Sequence, residues 1–158
     1  MSWLRTLMLL ALIVWIGGII FFAFVLAPTL FLVLPTTRMA GDVVSVSLTK
    51  LHWMGLISGV VFLICSLGYN WLRHARLKPF AASHILIILM LALTAYSQFI
   101  ITPRMHQLRS EMAKTDALHD SDQIEFAALH QLSTWTEGGV LLLGLGVVVL
   151  TARRFGSN

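Results

Sequence analysis

Charged residues punctuate this chain at wide intervals. Runs free of Asp, Glu, Lys and Arg extend from Thr6 to Thr37, from Leu51 to Leu72 and from Pro79 to Pro103, and a fourth, Phe126 to Ala152, is interrupted by Glu137 alone. Each run is continuously apolar for much longer than the ~10 alternating residues of a membrane β-strand. A hydrocarbon core about 30 Å thick takes roughly 20 residues of α-helix. The pattern therefore predicts an all-α membrane protein, a four-transmembrane-helix bundle in one domain with spans at about 4–34, 43–73, 79–102 and 122–153. The first run is too long for the apolar core of a signal peptide, and Pro28 directly after Ala27 would block cleavage there, so it is expected to stay as an anchor.

The connections at one end of the bundle are themselves helical in pattern. Pro28 and Pro35 close the first span, and Thr36-Thr37 offers a cap from which the second helix begins well before the membrane, through Val43, Val44 and Leu48. Thr102-Pro103, a cap followed by Pro at the first helical position, opens an amphipathic segment from Arg104 to Leu118 that carries Leu108 and Met112 four apart. Asp120 and Ser121 are caps for the last helix, with Gln123 completing a capping box on Asp120. These features predict protruding periplasmic helical segments. A Pro near the outer end of the first and third spans (Pro28, Pro103) and a Leu-His pair in the second and fourth helices (Leu51-His52, Leu129-His130) suggest two hairpins related by a pseudo-two-fold axis along the membrane normal.

Composition removes whole classes of function. With 58% hydrophobic and 11% charged residues and a mean hydropathy of +0.85, the chain is neither a soluble enzyme nor a disordered linker. The net charge of +4 and pI of about 9.8 reflect topology, not nucleic-acid binding, because the basic residues flank apolar runs instead of clustering with aromatics. Arg5, Arg73, Arg76, Lys78, Arg153 and Arg154 fall on one side with no acid. On the other, Arg38, Lys50, Arg104, Arg109 and Lys114 are diluted by Asp42, Glu111, Asp116, Asp120, Asp122 and Glu125. The expected topology puts both termini in the cytoplasm of a bacterial inner membrane. Trp3, Trp53, Trp71 and Trp135 sit near span ends, as an aromatic belt requires. The single cysteine, Cys65, forms no disulfide within the chain and no CxxC motif.

Candidate chemistry lies in the polar residues inside the apolar runs. Counted from the basic residues that end their helices, His52 and His130 lie roughly 30 to 35 Å from the inner boundary and so share one depth near the outer face. Tyr96, Ser97, Gln98 and Arg104 reach that level on the third helix, and His130, Thr134 and Glu137 follow the i, i+4, i+7 spacing of one face of the fourth. On one reading the two histidines are ligands of haem b, or of Cu or Zn, and Gly55, Gly59, Gly138 and Gly139 make room for a macrocycle. On the other they are interfacial histidines satisfied by water, by backbone carbonyls or by Glu137, and Gly55-x-x-x-Gly59 is a helix-packing motif. Spacing leaves both open. His74, His84, His106 and His119 have no metal-ligand spacing, and no phosphate loop, nucleophile elbow or HExxH occurs.

Trp15-Ile-Gly-Gly18 with Phe21-Phe22, Leu51-His52-Trp53, Tyr96-Ser-Gln-Phe99 running into Pro103-Arg104-Met105, and Phe126 with Leu129-His130-Gln-Leu-Ser133 together span nearly all four helices. In these motifs the chain resembles the transmembrane protein 205-like family, known in bacteria as small membrane proteins of unknown function. More distantly it is similar to the copper-resistance D membrane domain and to the membrane protoporphyrinogen oxidase that holds haem in a small helical bundle. The resemblance implies that His52, Arg104 and His130 form a functional site.

The leading expectation is a periplasmic-side haem b or transition-metal site ligated by His52 and His130, serving electron transfer or metal handling with a matching protein partner. Arg104 would pair with propionates or other anionic groups, and Glu137 and Tyr96 would support the ligands. The alternative is a cofactor-free membrane protein that binds a partner or small molecule through its polar outer cluster. The lipid bilayer is the surrounding medium, and a homo-oligomer stays open.

Overall fold

A segment immersed in hydrocarbon must satisfy its backbone hydrogen bonds internally, and the apolar runs do so as helices. The computed structural model describes residues 2–74, 82–114 and 120–156. In chain order the elements are α1 (Ser2–Phe21), a π-helical turn (Phe22–Leu26), α2 (Ala27–Val33), α3 (Thr37–His74), α4 (Ala82–Tyr96), a second π-helical turn (Ser97–Ile101), α5 (Thr102–Lys114) and α6 (Asp120–Gly156). Four rods, Trp3–Val33, Thr37–Leu72, Ala82–Met112 and Ser121–Arg153, are long and apolar enough to cross a membrane. In the most apolar window of each, 28 to 44% of the residues are buried, so most side chains face outward and need lipid as their solvent. The basic connection at Arg76 and Lys78 and His119 lie outside the described residues, as does the side-chain cap expected of Asp120.

Both π turns have the same cause. Proline has no N–H to give the carbonyl four residues back, and its ring crowds that carbonyl. Just before Pro28 and Pro103 the helix therefore widens by one residue, so that Ala27 N–H bonds Phe22 O and Thr102 N–H bonds Ser97 O. The repeat visible in the sequence becomes a repeat of elements: a helix, a wide turn, Pro, a short helix, then a long helix of 38 residues in the first half and 37 in the second. Within each half the rods pack as a hairpin, α1 on α3 and α4 on α6, and α3–α4 and α1–α6 contacts join the halves. Thr36 caps α3 as expected, its Oγ1 accepting from Met39 N–H at 3.2 Å. The segment after Pro103 continues the third rod as α5, packs on α6 and buries Leu108.

The core lies toward the end of the bundle where α1 begins and α6 ends, around Trp15. Its indole occupies the groove left by Gly55 and Gly59 on α3, where an added Cβ would meet Trp15 atoms at 2.3 and 2.6 Å. Met8, Leu12, Phe62, Ile87, Met90, Val140 and Val147 fill the layers around it. The expected Gly55-x-x-x-Gly59 pattern thus admits an aromatic side chain of the same chain. At Gly144 an added Cβ would lie 2.9 Å from Ile16, another close approach. At Gly17 it would meet nothing within 4 Å.

Overpacking at the Trp15 groove should therefore destabilise the bundle. Gly59→Val is expected to cost about 1–3 kcal/mol in detergent or bicelle unfolding, whereas Gly17→Val should change stability far less. Equal effects would mean that the groove is not the tight contact described.

Candidate functional site

Ionisable groups in a span are expensive and turn toward a partner or a cavity. His52, on α3, is 1% exposed, and both its ring nitrogens are engaged. Nδ1 lies 2.9 Å from Gln98 Oε1 in the second π turn, and Nε2 lies 2.6 Å from Glu137 Oε1 on α6. Since the Gln98 oxygen can only accept, Nδ1 donates to it. One further proton is then shared between Nε2 and Glu137, as imidazolium with carboxylate or as imidazole with carboxylic acid. Either arrangement is neutral overall, which is how a carboxyl can be kept inside a membrane span. The wide turn before Pro103 supplies the third partner: Ser97, Gln98 and Ile101 are all buried there.

Above this cluster, toward the end of the bundle where α3 begins and α5 ends, termed the outer end, lies a cavity of about 860 Å³. The first rod contributes Phe22, Phe24 and Phe31, and α3 contributes Arg38, Val44 and Leu48. From α5 come Thr102, Met105, Arg109 and Met112, which recur at helical spacing, and from α6 come Phe126, His130, Thr134, Glu137 and Leu141. Its origin lies in how the rods pack: α1 packs on both α3 and α6, while α2, beyond the π turn, packs on α3. Glu137, 16% exposed, sits at the floor, and the two arginines sit at the mouth. Gly138 also lines the wall and keeps it open, since an added Cβ there would meet nothing within 4 Å.

The expected site residues separate into those brought together and those held apart. His52 and Glu137 meet directly. His130 lies two turns, about 10 Å, farther out along α6. It is exposed on the cavity wall with its ring parallel to Phe126 at 6.5 Å. The shared depth expected for the two histidines is thus replaced by a shared depth of His52 and Glu137, because equal counts from the basic ends assume equal overhang of α3 and α6. Arg104 is outside the cavity, with Nε and Nη2 on the two oxygens of Glu125 at 2.6 and 2.8 Å and Nη1 on Gln107 at 3.3 Å. Tyr96 is 43% exposed and does not line the cavity.

This donor set does not fit a bis-histidine haem. His52 Nε2 would have to give up Glu137 to reach iron, and the Gly55–Gly59 groove is filled by Trp15. Among the described residues, no three His, Cys, Asp or Glu side chains converge as a bare metal would need.

Arg109 is the site residue that sequence reasoning missed, where it counted only as a topological charge. Its Nη1 donates to Gly41 O at 2.9 Å and to Asp42 Oδ1 at 3.3 Å, and its guanidinium lies 5.4 Å over the Phe126 ring. The available signal was the face Thr102, Met105, Arg109, Met112, on which an arginine is the one charged residue.

A protein-family model described as a domain of unknown function (DUF4149) matches residues 10–114, from within α1 to the end of α5. No curated protein and no solved structure matches the chain.

The two ion pairs should respond differently to mutation. Glu137→Ala leaves a buried imidazole without its partner and is expected to cost about 3–5 kcal/mol, with His52→Ala plus Glu137→Ala costing less than the sum. Arg104→Ala, at an exposed pair, should leave the unfolding midpoint unchanged. Additivity of His52→Ala and Glu137→Ala would show that the two groups are not coupled.

Proposed function

The chain belongs to the DUF4149 family, and from that premise we propose that it is a multi-pass membrane protein whose outer-end cavity binds a small amphipathic molecule taken from the bilayer. The observation that carries this reading is the cavity itself. Its volume is that of a ligand site, its lining is mostly aliphatic and aromatic, and its two arginines and its carboxyl group sit at the mouth and the floor. Lining residues reach the bundle's exterior too: Phe24 is 70% and Phe31 47% exposed, so the apolar wall runs on into the lipid-facing surface. We place the cavity on the periplasmic side of a bacterial inner membrane with both termini cytoplasmic. The inner side carries basic residues without acids, and the outer side mixes both signs.

A second reading, haem b or a transition metal in electron transfer or metal handling, keeps one foothold. His130 stands on the cavity wall and its ring nitrogens make no hydrogen bond among the described residues, so a single imidazole is available there. This version replaces the ligand pair of His52 and His130 by His130 alone, and the likeness to the transmembrane protein 205-like family and the copper-resistance D domain supports it. Absorbance and elemental analysis separate the two readings.

Native mass spectrometry of the protein, purified gently in detergent, should show a retained lipid-sized adduct. Gly138→Phe, which fills the open wall, should abolish it, and Gly17→Phe should not. A Soret band or near-stoichiometric Cu or Zn, lost in His130→Ala, would replace the amphiphile by a haem or metal.

The topology has its own test. In a Cys65→Ala background, Lys114→Cys should react with an impermeant thiol reagent in intact cells and Arg76→Cys should not. The opposite pattern would invert the bundle.

A further inference from the structure

We propose that the cavity takes an anionic lipid, whose phosphate is held by Arg109 and Arg38 at the mouth and whose chain lies along Phe22, Leu48 and Leu141. The inference deepens the cavity reading above and rests on it. Three observations give the sign of the headgroup.

The first is the contrast between two arginines on α5. Arg104 has all three guanidinium nitrogens engaged, two of them by the carboxylate of Glu125, so its charge is paired and its Nε/Nη2 fork is taken. Among the described residues Arg109 has only Nη1 engaged, by a backbone carbonyl and, at a longer 3.3 Å, by Asp42, which is itself 54% exposed. Its Nε and Nη2 donors meet no acceptor among those residues. The group is nevertheless fixed, clamped between Gly41 and the Phe126 face, and an added Cβ at Gly41 would lie 3.1 Å from Nη2. A positioned guanidinium with spare parallel donors is the arrangement that binds phosphate oxygens in pairs.

The second is Arg38, which also lines the mouth and makes no hydrogen bond or ion pair among the described residues. The third is the floor. Among the described residues Glu137 is the one acid that lines the cavity, and its proton is shared with His52, so the pair adds no net charge. Two arginines set against one well-solvated Asp42 leave the mouth positive, at the depth where the helices leave the apolar region and a headgroup would lie. The apolar wall below accepts hydrocarbon. A cationic head would meet two guanidinium groups before reaching Glu137.

The test compares lipids that differ only in headgroup. Wild-type protein in detergent is titrated with phosphatidylglycerol, phosphatidylcholine and diacylglycerol of equal chain length and read by native mass spectrometry. Phosphatidylglycerol is expected to bind about tenfold more tightly than the other two, the size of one charge-assisted contact. Arg109→Gln and Arg38→Gln should each bring it toward the level of phosphatidylcholine, while Arg104→Gln leaves it unchanged. Arg38 makes no hydrogen bond or ion pair among the described residues, so Arg38→Gln keeps the test open even where Arg109→Gln fails to fold. Equal binding of all three lipids, abolished by Gly138→Phe, would overturn the anionic headgroup and leave the amphiphile cavity standing. Displacement of phosphatidylglycerol by inorganic phosphate at equal concentration would overturn the lipid in favour of a soluble anion. No binding of any lipid by the wild type would remove the cavity reading itself.

Discussion

A carboxyl group cannot stay in a hydrocarbon layer alone, and the arrangement of the outer half of this bundle follows from how Glu137 meets that requirement. Its partner is His52 on another helix, and His52 in turn needs Gln98 on a third, so one buried chain of hydrogen bonds fixes the relative heights of α3, the second π turn and α6. Helix packing in a bilayer has little hydrophobic driving force, because lipid tails are as apolar as leucine. Register must come from close steric fits and from polar contacts. Here the Trp15 indole in its glycine groove supplies the first, and the three-residue polar chain supplies the second.

These two devices divide the molecule by function. Around Trp15 the glycines allow the helices to close until no space remains. Beyond the level of Glu137 the first rod has passed its wide turn and α2 follows α3, so the same four rods enclose a cavity. His52 and Glu137 lie at the boundary, satisfied on the core side and presenting a carboxyl to the cavity.

Much of this was legible in the sequence. The absence of charge over long runs requires helices in lipid, the prolines mark where each outward rod changes, and Thr36 caps α3 where its position says it should. The face of His130, Thr134 and Glu137 also lines the cavity as its spacing implies. What a linear pattern cannot carry is relative height between helices. His52 and His130 lie at nearly equal distances, 21 and 23 residues, from the arginines near the ends of their helices, yet across the bundle His52 meets Glu137 instead. Nor does spacing say which of two arginines is cancelled. Arg104 and Arg109 lie five residues apart on one helix, and only the third dimension gives Glu125 to one and the Phe126 face to the other.

The paired wide turns carry a mechanical consequence. Each interrupts the regular i→i−4 ladder of an outgoing rod, over Phe22–Leu26 and Ser97–Ile101, and the proline after it leaves one carbonyl without its usual donor. Phe22 and Thr102, at these interruptions, both belong to the cavity wall, so the two breaks form a seam around its base. Displacing the outer layer about that seam strains fewer backbone bonds than bending the helices anywhere below it. The volume of the cavity can thus change while the layer built on Trp15 keeps its shape.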